Sequence, residues 1–206
     1  MICTRPDVAL ALSMYSTHRV DPGEAYWTAV KAILKYLRRT KYNFLVYGGN
    51  EELVVTGYTD ASFQSDKNDS RSQSSFIFSL NGGAVSWKSS KQSTVADSTA
   101  EAEYIATCNA AKEAVWIRKF IIELGVVPSI SGGIMLYCDS TGAIANTNEP
   151  RSHQKFKHVL RKFHLIREIV DRGDVIVCKV HTDDNVADPL TKPLPQSKHE
   201  SHIEAM

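Results

Sequence analysis

The chain has 206 residues, of which 43% are hydrophobic and 23% charged, with a formal net charge of +1. That balance suits a core of useful size in one ordinary domain with a flanking piece, or in two small ones, and gives no bulk charge to attract a polyanion. No apolar run approaches the ~18 residues of a membrane span, and the first residues lack the charged start and continuous apolar stretch of a signal peptide. Cys3, Cys108, Cys138 and Cys178 are far apart and form no CxxC pair. They read as reduced thiols, so an intracellular location is expected.

Two helices are predicted first, over 4–16 and 22–39. In the second, Asp21 can cap, Pro22 suits the first helical position, and Glu24 stands where a capping-box acid belongs. Tyr26, Val30, Ile33, Leu34 and Leu37 recur at helical spacing, which predicts one buried face. Arg38, Arg39 and Lys41 close it in the sense the helix dipole favours. A short strand over 43–47 and a Gly48-Gly49-Asn50 turn follow, and a division into 1–50 and 51–206 is expected there. Both ends look cut, so the sequence is expected to be a piece of a longer protein.

The pattern then changes to strands over 53–59, 74–80 and 84–89, with Asn81-Gly82-Gly83 as a hairpin signal between the last two. A long helix over 99–124 opens on the capping box Ser98…Glu101 and stops at Gly125 and Pro128. A strand over 134–138, a short helix over 140–146 and an amphipathic helix over 154–172 come next. The last carries Phe156, Val159, Phe163, Ile166 and Val170 on one face and ends at Gly173. A strand over 174–180 and a polar tail complete the chain. Three strands on short turns followed by crossover helices imply an α/β fold, a mixed sheet flanked by helices and preceded by a small helical segment.

Several acids fall where strands or helices begin or end. Asp60 closes the predicted strand in Gly57-Tyr58-Thr59-Asp60-Ala61-Ser62, and taken alone reads equally as a turn-initiating Asp. Glu101 has a capping role, whereas Glu103 lies at another angle around the same helix. Asp139 follows a buried strand directly, where open α/β sheets bind ligands, but it could also cap the next helix. Asp183, Asp184 and Asp188 crowd the segment 181–192, and spacing does not separate them. Carboxylates converging from separate elements suit hard divalent cations. Two such ions about 4 Å apart are the arrangement that hydrolyses phosphodiesters.

Taken in order, Tyr-Thr-Asp-Ala-Ser at 58–62, Ser-Thr-Ala-Glu-Ala-Glu-Tyr-Ile-Ala at 98–106, Cys-Asp-Ser at 138–140 and Asn-Val-Ala-Asp at 185–188 resemble the ribonuclease H domain of copia-type LTR retrotransposon Pol polyproteins. Gly83-Ala84-Val85-Ser86-Trp87-Lys88-Ser89 and Ala187-Asp188-Pro189-Leu190-Thr191-Lys192 extend the likeness to about 53–206. The front, with Thr4-Arg5-Pro6-Asp7-Val8-Ala9 and Leu34-Lys35-Tyr36-Leu37, resembles the end of that family's reverse transcriptase.

The resemblance implies a ribonuclease H-like fold and metal-dependent endonucleolytic cutting of the RNA strand of an RNA–DNA hybrid. It implies two Mg²⁺ or Mn²⁺ ions held by Asp60, Glu103, Asp139 and Asp188. Glu103 is preferred to Glu101 because the family's acid precedes Tyr-Ile-Ala. His181 resembles the family's loop histidine, with a role in proton transfer or product release. The upstream polymerase of the same polyprotein is an implied partner, and a cytoplasmic virus-like particle the implied setting.

Arg151, Lys155, Lys157, Arg161 and Lys162 form a basic run that could meet the hybrid backbone, or could simply be a solvated face. His153, His158 and His164 with Cys178 fit no zinc-finger spacing. Two other readings fit parts of the sequence: a catalytically inactive retroelement relic that binds nucleic acid or nothing, and an integrase or transposase. The Tyr-Ile-Ala helix and the Ala-Asp-Pro-Leu-Thr-Lys segment speak against the latter.

Overall fold

A computed structural model describes residues 3–16, 23–48, 53–66, 68–125, 132–148 and 160–206. Five strands form one mixed sheet in the order β3-β2-β1-β4-β5. The strands are β1 (Val55–Ser62), β2 (Gln73–Leu80), β3 (Gly83–Lys91), β4 (Ile134–Cys138) and β5 (Val175–Lys179). The first three run antiparallel, while β4 and β5 join parallel to β1. The β2–β3 hairpin turns on Asn81 and Gly82, both at positive φ (52° and 86°). That pair of left-handed residues matches the twist of the flanking strands, as the Asn-Gly signal predicts.

One face of the sheet is covered by α3 (Thr99–Leu124), α4 (Thr141–Asn148) and α5 (Leu160–Asp171). Ala102, Ala106, Ala110 and Ala114 recur every fourth residue along α3 and are fully buried, forming a stripe without bulk. Ile105, Ile117, Phe76, Phe78 and Leu136 fill the same layer. Ser98 caps α3 by accepting from the Glu101 N–H (3.2 Å), and Gly125 ends it in the left-handed region. Both ends fall as expected. Of the helix expected over 154–172, the part from Leu160 to Asp171 is described, and it ends before Gly173 (φ 73°).

The other face is covered by the two ends of the chain. A short 3₁₀ turn (Pro6–Val8) leads into α1 (Ala9–Ser16), and α2 (Glu24–Arg39) follows. Val186, Ala187, Leu190 and Met206 press on Ile77, Ala84, Tyr58 and Trp87. Residues 3–16 and 23–48 are joined to the rest by several hydrogen bonds, such as Gln73 Nε2 to Ser13 Oγ (2.8 Å) and Tyr47 Oη to the Ala84 carbonyl (2.7 Å).

Four expectations need correction. The segment 43–47 joins no sheet; it is tied by the Tyr47 hydroxyl and by the Gly48 N–H to the Asn81 carbonyl (3.1 Å), not by a ladder. The apolar face of α2 is at best half-buried, with Leu34 and Trp27 more than half exposed, because its neighbour among the described residues is chiefly the short α1. Gly23 occupies the N-cap of α2, while Asp21 and Pro22 lie outside the described residues. The expected polar tail instead forms 3₁₀ turns at Thr182–Asp184 and Asp188–Leu190 and a further helix, α6 (Gln196–Glu204). Its sequence lacks an apolar period; it is anchored by buried His202 and by the Met206 carbonyl, which accepts from the Ala84 N–H (2.6 Å).

Candidate metal centre

The parallel pairing of β1 with β4 ends at Thr59↔Cys138, so Asp60, still in β1, and Asp139, just past β4, are the next residues on either side. β1 itself continues to Ser62 on its other side, where Asp60 pairs with Ser75. Asp60 therefore stands inside a strand, not at its end as expected. It faces a gap on the β4 side because the chain there turns away into α4. Such a split between neighbouring strands is where open sheets take ligands.

Asp188 reaches the same gap from the C-terminal segment. Buried Asn185 fixes that segment: its Nδ2 donates to the Thr59 carbonyl (3.0 Å), and its Oδ1 accepts from the Ala187 N–H (3.2 Å). Ser75 Oγ donates to the Ala187 carbonyl (3.1 Å) and Ser89 Oγ to the Leu190 carbonyl (2.5 Å). Thr191 Oγ1 then donates to Asp60 Oδ2. Asp60 and Asp188 are each 1% exposed. Asp183 is 63% exposed and pairs with Lys198, and Asp184 is exposed, so burial separates the three acids that spacing left open.

Carboxylate oxygens of Asp60, Asp139 and Asp188 lie within 4.8 Å of one another. Glu103, on the second turn of α3, brings a carboxylate oxygen within the same distance of Asp139 and the Cys138 sulfur. Glu101 is excluded from this role because its Oε2 accepts from the Asp97 N–H (2.7 Å) at the helix start. The four acids thus meet from β1, the residue after β4, α3 and the 3₁₀ turn at Asp188–Leu190.

Burial, with the neighbouring Asp188 and Asp139, pushes the Asp60 carboxyl up to about 7 despite the opposing Lys192 and Thr191. Burial, with Asp60 and Asp139 beside it, pushes Glu103 up to about 9. Like charges forced together out of water cannot all ionise unaided. Oε2 of Glu103 and Oδ2 of Asp188 are buried without a hydrogen-bond partner. Buried carboxylate oxygens left bare in a shared gap are a fit for a hard divalent cation, which takes oxygen ligands and supplies the missing charge. Burial and the nearby Glu103 push the Cys138 thiol up to about 12, so it stays protonated and is a poor ligand for such an ion. Lys192 Nζ lies 3.0 Å from Asp188 Oδ1 and 3.9 Å from Asp60 Oδ1.

The remaining expected residues fall elsewhere. His181 belongs to neither carboxylate group. It caps the 182–184 turn, its Nδ1 accepting from the Asp183 N–H (3.2 Å), with a side chain 73% exposed. Arg151, Lys155, Lys157, His153 and His158 lie outside the described residues. Arg161 and Lys162 sit in α5, where only the backbone is described. No histidine enters either candidate metal cluster among the described residues, and no described helix is long and apolar enough to cross a membrane. Sequence reasoning missed Asn185, Ser75, Ser89 and Thr191 as positioning residues. Asn185, Ser89 and Thr191 lay in quoted motifs, but nothing in the sequence marked which side chains would face inward.

No protein-family model matches the chain. Among curated proteins it is similar to the retrovirus-related Pol polyprotein from transposon TNT 1-94 of Nicotiana tabacum, 42% identical over 200 residues, and to that from transposon RE2 of Arabidopsis thaliana, 35% identical over 191 residues. Those matches cover 97% and 93% of this chain but only 15% and 13% of the two relatives, so the chain spans a small part of their length. The crystal structure of LC11-RNase H1 in complex with an RNA/DNA hybrid overlaps 66% of this chain and 93% of its own, at 16% identity and a TM-score of 0.49. At that score the overlap adds no weight to what the sequence relatives carry. With such identity sustained across nearly its whole length, the chain corresponds to one stretch of the retrovirus-related Pol polyproteins of transposons.

Proposed function

We propose that this chain is the ribonuclease H part of a copia-type Pol polyprotein and hydrolyses the RNA strand of RNA–DNA hybrids, leaving a 3′-hydroxyl and a 5′-phosphate. The observation that carries this reading is the convergence of Asp60, Asp139 and Asp188, joined by Glu103, on one buried gap with carboxylate oxygens left bare. These four residues would hold a pair of Mg²⁺ or Mn²⁺ ions. Such ions, when bound, supply the activated water and the charge that stabilises the leaving oxygen.

The chain's own contribution is placement. Asp60 is held by β1 and Thr191, Asp139 by the end of β4, Glu103 by α3, and Asp188 by the loop that Asn185 pins to β1. Preference for a hybrid would come from 2′-hydroxyl contacts to one strand. The basic run Arg151, Lys155, Lys157, Arg161 and Lys162 would meet phosphates, and His181 would assist proton transfer or product release from its exposed turn. Residues 1–50 would be the end of the preceding reverse transcriptase, itself a partner, and the setting would be a cytoplasmic virus-like particle.

The test is cleavage of a labelled RNA–DNA hybrid in Mg²⁺ or Mn²⁺, beside an Asp60→Asn variant and an EDTA control. Cutting confined to the RNA strand is expected. It should be lost in EDTA and reduced about a thousandfold or more by the substitution, since such ions contribute several kcal/mol to the transition state. A folded protein that binds the hybrid without cutting it would favour an inactive relic instead.

A further inference from the structure

The carboxylate gap contains a cation of the chain's own. Lys192 lies four residues after Asp188, and its backbone N–H donates to the Asp188 carbonyl (3.2 Å), so its stem is fixed beside that acid. Its ammonium lies 3.0 Å from Asp188 Oδ1 and 3.9 Å from Asp60 Oδ1. The two acids are 1% exposed, whereas the lysine side chain is 36% exposed. The pairing is therefore lopsided: the carboxylates are fixed and buried, while the ammonium arrives on a long stem from the solvent side and has a way out. It also leaves Asp188 Oδ2 bare, so it fills the gap only in part.

A divalent ion drawn to Asp60 and Asp188 needs the same oxygens. Two cations held within contact distance of one carboxylate repel at short range, and the singly charged, flexible one gives way. We propose that Lys192 is a resident counter-cation: it offsets part of the charge of Asp188 and Asp60 while the centre is empty of metal, and it swings out when a divalent ion binds. This rests on the metal-centre reading above. Lys192 is thus a positioning residue that sets the metal concentration at which the centre fills. The exchange keeps some counter-charge beside the buried carboxylates at both ends of the process, which the carboxylates alone could not do.

The experiment uses the full chain and two readouts that need no nuclease activity. Mn²⁺ titration by calorimetry compares the wild type with Lys192→Met and Lys192→Arg. The Met variant is expected to bind Mn²⁺ about tenfold more tightly and to melt at a lower temperature in EDTA, with Arg close to wild type in both. Mass spectrometry of the wild type reads acetylation at Lys192, which should become several-fold faster in saturating Mg²⁺ as the ammonium is released; this arm holds even where the Met variant does not fold. Equal or weaker Mn²⁺ binding by a folded Met variant, or Lys192 reactivity indifferent to Mg²⁺, would overturn the proposal while leaving the metal centre intact. Failure of the wild type to bind Mn²⁺ at all would overturn both readings. Displacement of Lys192 without hybrid cleavage would uphold this proposal and count against the nuclease.

Discussion

Asp60 and Glu103 show how far a site can drive the acids that build it. Their folded pKa values, about 7 and about 9, lie above the values of roughly 4 that the unfolded chain would have. The folded, metal-free protein therefore holds protons that the unfolded chain releases. Stability from these groups is complete below about pH 4 and is lost as pH rises through about 7 and then about 9. Denaturation in urea with EDTA should show the unfolding free energy falling between pH 5 and pH 9, by an amount on the order of a few kcal/mol. A flat profile would mean that the two acids ionise normally. Saturating Mg²⁺ should remove the decline, because the ion stabilises the deprotonated carboxylates. Residue identities were the legible part of the site: all four acids sit in motifs that the sequence displays. Spacing could not choose among Asp183, Asp184 and Asp188; the Asn-Val-Ala-Asp resemblance pointed to Asp188, while the physical reason, which one the C-terminal segment buries, is visible only in the fold.

Elements were legible where a period or a cap announced them, and illegible where tertiary contacts decided. The 99–124 helix, with its Ser98 cap and Gly125 stop, agrees residue for residue. By contrast, α6 carries no apolar period, and the extended 43–47 segment has strand-like residues but no ladder to join. Packing between elements also leaves little slack. At Gly57, an added methyl would come within 2.3 Å of the Phe78 ring, which is itself fully buried under α3. Gly57→Ala should therefore cost about 1–3 kcal/mol through overpacking, read as a lower melting temperature. An unchanged melting temperature would show that the ring has room to shift. The same substitution at Gly132, where a methyl would meet open space, is the control.

Across the whole molecule, the site depends on residues far apart in sequence being locked together. Asn185 uses both ends of its amide to bind Thr59 and Ala187, 126 and 2 residues away. Asn185→Ala would strand a buried carbonyl and a buried N–H, at a cost of about 1–3 kcal/mol each. Metal affinity should weaken along with stability, because Asp188 would lose its mooring; calorimetry with Mn²⁺ and a thermal melt check both. Unchanged affinity would mean that Thr191 and the serine contacts suffice. The long span between β1 and the 185–192 segment also bears on the order of events at the ribosome. Chains emerge amino end first at ~5–20 residues per second, so β1, β2, β3 and α3 can pack before the last acid has been made. Until Asp188 and Lys192 arrive, the nascent sheet carries Asp60, Asp139 and Glu103 crowded together with neither of the partners that complete the pocket. The half-made protein thus holds its most repulsive cluster without a counter-charge, and protonation of those acids is its simplest refuge until synthesis passes residue 192.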